Sequence, residues 1–379
     1  MRKQLLTALA AGAVVLAGCA RIETTEVPEG RVISFDKHVD NVVKAIDEPD
    51  DLTAFRVFGA AYQSGGSPEG FMVFDNDLVE VDRSGEWNSS ETKYWQEGYS
   101  YRFAAYSNDN KGLDEGTDFK YENGLSITYS QPASGSEIRE KMDLLYGISN
   151  KTYDGSAYVE GNTTEEVQLT FYHILSKLRF VFTKDATLNG HDITVKDITF
   201  NACSTGTFAP TDGEWEVYPK DNGQLGSGYW TVGEEMRNDY TLTLSNNGVI
   251  TGSTNAAVDG DGKENGVNNI LPVKDSVFMI PQANNNEVPE KDLKINFTIE
   301  WDADGMYEND PSGTPEIKTK KFTVDLKTLN GQWYPGFMYI YTATISAENL
   351  DLVPIEFDVT EVVGWEDPAE NVDNEIIAQ

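Results

Sequence analysis

From Leu52 onward the chain is a succession of short alternating segments separated by turn-forming residues. In the clearest case, apolar side chains occupy every second position from Tyr99 to Ala105. The same pattern runs over nine residues from Leu293 to Trp301. A period of two is typical of a strand with one buried face, and the aromatic and β-branched residues at these positions favour strands.

A longer apolar segment lies in the middle of the chain. It alternates from Val167, loses the alternation at His173–Ser176 and resumes it at Leu178. This pattern predicts one strand interrupted by a kink or bulge. Further strands are predicted at Arg31–Asp36, Leu52–Tyr62, Phe71–Phe74, Leu78–Val81, Leu125–Tyr129, Met142–Gly147, Ile193–Phe200, Tyr229–Val232, Tyr240–Leu244, Val277–Ile280, Lys321–Leu326, Phe337–Ile345 and Ile355–Val362.

These segments together predict an all-β fold. Helical spacing is confined to the region around Val39–Ile46, which fits a short helix or a loop. After its N-terminal segment the chain has about 360 residues, which is longer than a domain with a single hydrophobic core usually is. Two β-sandwich domains are therefore expected. The polar run Lys151–Glu165 marks the boundary, which gives an N-terminal domain over 31–160 and a C-terminal domain over 161–366.

The start of the chain has the plan of a secretory signal. Two basic residues precede the short apolar run Leu5–Val15. This run is too short to span a bilayer, which takes about 20 residues. The small residues before Cys19 resemble the lipobox of bacterial lipoproteins. The resemblance implies cleavage between Gly18 and Cys19 and acylation of Cys19. A plain signal followed by a chance cysteine is the alternative.

On this interpretation residues 1–18 are a signal peptide and residues 19–30 are a tether. The segment after Cys19 is polar and contains Pro28 and Gly30, which suits a linker between a lipid and a folded body. Residues 367–379 form an acidic tail. Besides Cys19 the chain has only Cys203, so lipidation would leave no intramolecular disulfide, and Cys203 is expected to be a small buried side chain.

Charge and motifs exclude several classes of function. A net charge of −34 argues against nucleic acid as a partner, because such binding relies on Lys and Arg patches. The three histidines His38, His173 and His191 do not cluster, and no HxxxH or CxxC spacing occurs, so no zinc site or other cofactor is expected. No Gly-x-Ser-x-Gly elbow or P-loop occurs either. The sequence therefore predicts a protein that is not an enzyme.

A series of short sequence motifs, in this order along the chain, resembles the fimbrillin-like lipoproteins, which include subunits and accessory proteins of type V pili. The motifs are ISF, FRVFGA, WQEGYSYRFAAY, VQLTFYHILSKLRF, FMIPQ and WYPGFMYIYTATI, and the last predicted strand ends near Gly364-Trp365. The resemblance covers residues 31–366. It implies two β-sandwich domains of transthyretin-like topology and export to the outer membrane.

The resemblance also implies a mode of assembly. A trypsin-like protease cuts after a basic residue near the N-terminus and removes the lipid together with the first strand. The groove left open then accepts a strand from another subunit. In this chain the candidate cut sites are Lys37 and Lys44, with Lys44 preferred. Alternatively, both lysines are ordinary surface charges, and the protein keeps its lipid as an anchor subunit does. A C-terminal donor strand would come from Leu350–Val363 rather than from the acidic tail.

The expected function is thus a structural or adhesive pilus component at the cell outer membrane. Its expected partners are other pilus subunits, the membrane through the lipid, and glycans or proteins of host or bacterial surfaces. The alternative is a surface carbohydrate-binding lipoprotein of a glycan-uptake complex, which would use exposed tryptophans.

Overall fold

The computed structural model describes residues 31–39, 52–63, 70–107, 118–120, 124–131, 143–149, 159–161, 166–209, 230–233, 237–242, 248–250, 271–272, 277–283, 293–303, 316–326, 332–351, 355 and 357–364. Most of these residues lie in strands, which confirms the predicted all-β class.

The strands of the N-terminal part are β1 (Phe35–Val39), β2 (Ala54–Gln63), β3 (Phe71–Val81), β4 (Trp87–Ser89), β5 (Tyr99–Ser107), β6 (Asp118–Lys120), β7 (Gly124–Ser130), β8 (Leu145–Ser149), β9 (Val159–Glu160) and β10 (Val167–His173). They are followed by β11 (Ser176–Lys184), β12 (Ile193–Cys203), β13 (Thr205–Phe208), β14 (Trp230–Val232), β15 (Arg237–Leu242), β16 (Val249–Ile250), β17 (Leu271–Pro272) and β18 (Val277–Met279). The last are β19 (Lys294–Asp302), β20 (Ile317–Asp325), β21 (Phe337–Ile345) and β22 (Phe357–Gly364), with a short helix α1 (Ala347–Asp351) before β22.

An eight-stranded sheet contains the first strands of the chain. Its order is β1-β10-β8-β5-β2-β3-β4, and β9 pairs with β5. Strand β1 runs parallel to β10, with Phe35 opposite Val167, whereas the other neighbours in this sheet are antiparallel. One face of this sheet carries a core cluster rich in aromatic side chains.

Two five-stranded sheets enclose the largest core cluster. One has the order β17-β11-β21-β22 with β18 paired to β11, and the other has the order β15-β12-β19-β20 with β16 paired to β12. Their inner faces meet through aromatic contacts such as that of Phe182 with Phe297, whose ring centroids are 5.2 Å apart. A smaller sheet has the order β14-β13-β7-β6.

The interruption predicted at His173–Ser176 is a change of sheet. Strand β10 ends at His173 in the eight-stranded sheet, and β11 begins at Ser176 in another sheet. The two residues between them, Ile174 and Leu175, are fully buried. The prediction of one bent strand is therefore wrong, since continuous alternation does not reveal which neighbour each half pairs with.

Strand pairing crosses the division predicted between residues 160 and 161. Strand β10 follows that division but lies between β1 and β8. Strand β7 precedes it but pairs with β13, with Ile127 opposite Phe208. A third core cluster also joins residues from both sides of the division, including Phe58 and Trp230. The two-domain division itself stays a prediction.

Cys203 is buried, in agreement with the prediction of a small buried side chain. Within the ranges given above, none of the helices has the length and apolar content needed to cross a bilayer.

Candidate assembly interface

The segment from Arg31 to Val39 joins two parts of the N-terminal structure. Its first residues pair with the segment after β4, where the Ile33 amide donates to the Lys93 carbonyl and the Trp95 amide donates to the Arg31 carbonyl, both at 2.9 Å. Its later residues form β1 along β10. Among the described strands, β1 has β10 as its only ladder partner and forms one edge of the sheet.

Phe35 anchors this edge strand in the core. Its side chain is 2% exposed. Its ring centroid lies 5.3 Å from that of Phe74, 5.8 Å from that of Phe103 and 6.0 Å from that of Phe55, all in edge-to-face geometry. Aromatic rings favour this geometry. Ile33, two residues earlier, is also buried. Burial of each of these two side chains stabilises the folded state by roughly 1.5–3 kcal/mol.

A polar contact fixes the start of the segment. The Arg31 guanidinium donates to the Gly161 carbonyl at 3.0 Å and to the Glu97 carboxylate at 3.3 Å. The Gly161 amide in turn donates to the Tyr99 carbonyl at 2.8 Å. A Cβ at position 161 would lie 2.0 Å from the Gln96 carbonyl oxygen, so the close approach requires glycine. The exposed ion pair itself adds little stability.

The strand facing β1 presents a buried apolar side. Val167, Leu169 and Phe171 on β10 are at most 1% exposed and belong to the same core cluster as Phe35. The next residue on that side is His173, whose Nδ1 lies 2.5 Å from the Asp143 carboxylate. His173 is 1% exposed and is therefore a buried histidine of the core. Removing β1 would expose a row of backbone groups on β10 and an aromatic pocket beside them.

The predicted site residues fall in different places. Gly18, Cys19 and Lys44 lie outside the described residues. Lys37 lies within β1, opposite Leu169. The strand was predicted to end at Asp36, before Lys37. It extends to Val39 because backbone pairing with β10 continues where the apolar alternation stops. Cleavage at Lys37 or Lys44 stays a prediction.

Three exposed side chains and the half-buried Tyr99 form two pairs that sequence patterns did not single out. Val32 and Tyr94 are cross-strand partners and are 50% and 42% exposed. Phe71, which is 40% exposed, meets Tyr99 with ring centroids 5.5 Å apart. Three tryptophans that the glycan hypothesis considered are less accessible. Trp95 and Trp230 are buried, Trp87 is half-buried, and Trp215 lies outside the described residues.

Within the described ranges, no three His, Cys, Asp or Glu side chains are grouped so that they could hold a metal ion.

The sequence profile of the fimbrillin-like family matches residues 50–361. The chain therefore belongs to the fimbrillin-like family. No curated protein matches it.

Among solved structures, a putative cell adhesion protein from Bacteroides ovatus aligns with a TM-score of 0.47 at 14% identity, over 89% of this chain and 98% of its own. A putative cell adhesion protein from Bacteroides uniformis aligns with a TM-score of 0.42 at 15% identity, over 88% and 98% of the two chains. The fimbrial anchor protein Mfa2 from Porphyromonas gingivalis aligns with a TM-score of 0.37 at 10% identity, over 89% and 98%.

Proposed function

We propose that this protein is a structural subunit of a bacterial surface pilus of type V and that it assembles by strand exchange at the β1 position. Membership of the fimbrillin-like family supports a pilus role. The observation that carries the proposal is the placement of β1. It is an edge strand whose Phe35 fills an aromatic pocket of the core.

The exchange replaces one edge strand by another. Loss of residues 31–39 frees the backbone N–H and C=O groups of β10 and empties the pocket formed by Phe55, Phe74 and Phe103. An incoming strand satisfies these groups and places apolar side chains where Ile33 and Phe35 were. Unpaired sheet edges accept extended strands in this way. The role is structural and involves no catalysis.

Export as a lipoprotein precedes assembly in this proposal. Signal cleavage between Gly18 and Cys19 leaves an acylated Cys19, and residues 19–30 tether the fold to the outer membrane. Several acyl chains hold far better than one, since each buried CH₂ adds about 0.8 kcal/mol. Cleavage after Lys44 or Lys37 then releases the subunit into the pilus. A subunit that is not cut stays at the membrane as an anchor.

Intact mass and N-terminal sequencing of the protein from its own outer membrane test this sequence of events. A new N-terminus after Lys44 or Lys37, together with an SDS-resistant ladder of multimers, is the expected result. K44A, K37A or the double variant should abolish the ladder. K318A, which changes an exposed lysine on β20, should leave it intact. A Cys19→Ser variant should lose the lipid. A lipidated, uncut and monomeric protein would contradict the polymerising role.

A glycan-binding role is the second candidate, and the exposed side chains of Val32, Tyr94 and Phe71 favour it. Aromatic faces that remain accessible can stack on sugar rings. Binding to a glycan array that is lost in Y94A or F71A would support this role. I317A, which removes an exposed apolar side chain on β20, is the matched control. No binding by the unaltered chain would contradict it.

A further inference from the structure

Exposed apolar side chains are concentrated in one region of the described surface. Among the described residues, five large aliphatic or aromatic side chains are exposed, and one of them, Ile317, lies on β20. The other four belong to the N-terminal part, and we call them the end patch: Val32, Phe71, Met72 and Tyr94. Single exposed apolar residues are ordinary, whereas a group of them indicates a surface that contacts a partner.

Two members of the end patch adjoin Arg31, the first described residue. The Trp95 amide donates to the Arg31 carbonyl at 2.9 Å, and Val32 and Tyr94 are cross-strand partners beside this bond. Successive side chains of a strand point to opposite faces. Because Ile33 and Trp95 are buried in the core, their neighbours Val32 and Tyr94 point outward.

The other two members adjoin Arg31 through Gly161. The Gly161 carbonyl accepts from the Arg31 guanidinium at 3.0 Å, and the Gly161 amide donates to the Tyr99 carbonyl at 2.8 Å. The ring centroids of Tyr99 and Phe71 are 5.5 Å apart, and Met72 follows Phe71 in β3. The end patch therefore lies around the residue at which the chain enters the described structure.

This region is one end of the eight-stranded sheet. Phe71 and Tyr99 are the first residues of β3 and β5. The chain leaves the sheet at the opposite end, where β10 finishes at His173 opposite Leu145. The Leu145 amide donates to the hydroxyl of Ser107, the last residue of β5, at 3.2 Å. The end patch and the start of β11 thus lie at opposite ends of this sheet.

The sequence before Arg31 connects this end to the proposed lipid anchor. Residues 19–30 separate the acylated position from Arg31. A segment of that length spans at most about 40 Å when fully extended. In a protein that keeps its lipid on Cys19, the end that carries Arg31 is therefore the end held at the membrane.

We propose that the end patch enters the interfacial region of the lipid bilayer in the anchored protein, so that the folded body is oriented as well as tethered. Tyrosine suits this region, since its ring is apolar and its hydroxyl is polar. Zwitterionic headgroups are the expected partner, because a net charge of −34 opposes contact with anionic lipid. The inference rests on the lipidated, uncut form of the proposed function. Loss of residues 31–39 would remove Val32 and the tether and would end the contact.

Carbene labelling from the lipid tests this contact. The lipidated chain is placed in phosphatidylcholine vesicles that include phosphatidylcholine with a diazirine on its acyl chain, and peptides are analysed by mass after illumination. Peptides with Phe71 or Tyr94 should carry at least about tenfold more adduct than the peptide with Ile317, because the carbene reaches only side chains that enter the acyl boundary. Ile317 is the matched control, being similarly exposed in another sheet. Equal labelling, or none at the end patch, would overturn the proposal.

Substitution within the end patch provides a second test. In the double variant Phe71→Asp, Tyr94→Asp the adduct on Met72 should fall to the level of the Ile317 peptide, whereas Ile317→Asp should leave it unchanged. An unaltered thermal midpoint verifies that the double variant is folded, as expected for exposed positions. If it is not folded, Val32→Asp replaces it. Full labelling of Met72 in a folded variant would contradict the proposal.

A different attachment separates this inference from the proposed export. Intact mass shows whether Cys19 carries acyl chains, and their absence would count against the export step. The chain from residue 19 onward is then coupled through the Cys19 thiol to a maleimide phospholipid, while the buried Cys203 does not compete. Labelling of the end patch in the coupled chain supports the membrane contact, and its absence there overturns it. These vesicles contain no sugar, so glycan binding cannot produce the adducts.

Discussion

At the residue scale, Phe35 is the side chain on which retention of the first strand depends most. We expect Phe35→Ala to lower the free energy of unfolding by about 3–5 kcal/mol, since it empties a pocket bounded by three other rings. Urea denaturation measures the change. Val32→Ala is the matched control on the same segment, and it should shift stability by no more than about 0.5 kcal/mol because Val32 is half exposed. Equal effects of the two substitutions would contradict the anchoring role.

Two buried tyrosines make stability sensitive to alkaline pH. Burial raises the pKa of Tyr339 and of Tyr341 well above the usual value. The Tyr341 hydroxyl accepts from the Trp333 indole at 2.7 Å, and the Tyr339 hydroxyl accepts from the Tyr334 amide at 2.8 Å. The unfolded chain ionises these phenols near pH 10, whereas the folded chain keeps both protonated.

Stability should therefore be unaffected by these groups below pH 10 and should fall above it. Because the folded state binds more protons there, each tyrosine lowers the free energy of unfolding by about 1.4 kcal/mol per pH unit. Denaturation midpoints at pH 9, 10 and 11 measure the slope. Tyr341→Phe should flatten it, although it also removes the acceptor of the indole. An identical slope in Tyr341→Phe would count against this account.

At the element scale, glycines inside strands mark places where a ring from the neighbouring strand lies over the backbone. A Cβ at Gly147 in β8 would lie 2.7 Å from the Phe171 ring on β10, and one at Gly59 in β2 would lie 2.7 Å from the Phe103 ring on β5. Phe171 cannot withdraw freely, because its ring packs 5.3 Å from that of Phe55. Such approaches explain glycine in strand interiors.

Gly147→Ala should therefore destabilise the protein by about 1–3 kcal/mol, through overpacking against Phe171. Thermal or urea unfolding measures the loss. Phe171→Leu makes room for the added methyl group, so the double variant should lose less stability than the sum of the two single variants. Additive losses would show that the methyl group and the ring do not conflict.

Alternation predicted most strands, and its errors have a common cause. Phe337–Ile345 was predicted with the bounds that the structure has, and Leu293–Trp301 was displaced by one residue at each end. In β20 the strand begins at Ile317, four residues before the predicted start. Both β1 and β20 extend into Lys-containing stretches because backbone pairing, rather than burial, maintains a strand at an edge. Where both faces of an edge strand carry polar residues, the sequence shows no apolar–polar alternation from which the strand could be predicted.

The sequence predicted a strand near Arg31–Asp36 but did not predict which strands it pairs with. The resemblance implies that the first strand is exchangeable, which stays a prediction, and RVISFD contains the two buried side chains of that segment, Ile33 and Phe35. The parallel pairing with β10 and the contact of Val32 with Tyr94 depend on residues more than 60 positions away. A pattern within one segment carries no information on such neighbours. The same limit hides the change of sheet at Ile174.

At the scale of the whole molecule, the sheets bind the two predicted halves to each other. Gln131 in the first half donates its side-chain amide to the Phe278 carbonyl at 2.8 Å and its backbone amide to the Ser204 carbonyl at 2.6 Å. Both contacts are buried. Breaking a buried hydrogen bond costs about 1–3 kcal/mol when a partner is left unsatisfied. Together with the β7–β13 ladder, these contacts make independent folding of the halves unfavourable.

A chain ending at residue 160 should therefore fail to form a cooperative fold. It lacks β10, so β1 loses its parallel partner and β8 loses one neighbour, while β7 loses β13. A chain ending at Leu175 regains β10 and completes the eight-stranded sheet, but still leaves the cluster around Phe58 without Phe208 and Trp230. Near-ultraviolet circular dichroism and thermal unfolding of the two fragments and of residues 31–364 should give increasing cooperativity in that order. A sharp transition in the fragment ending at residue 160 would show that the predicted boundary separates two self-sufficient folding units and that the pairings across it are dispensable.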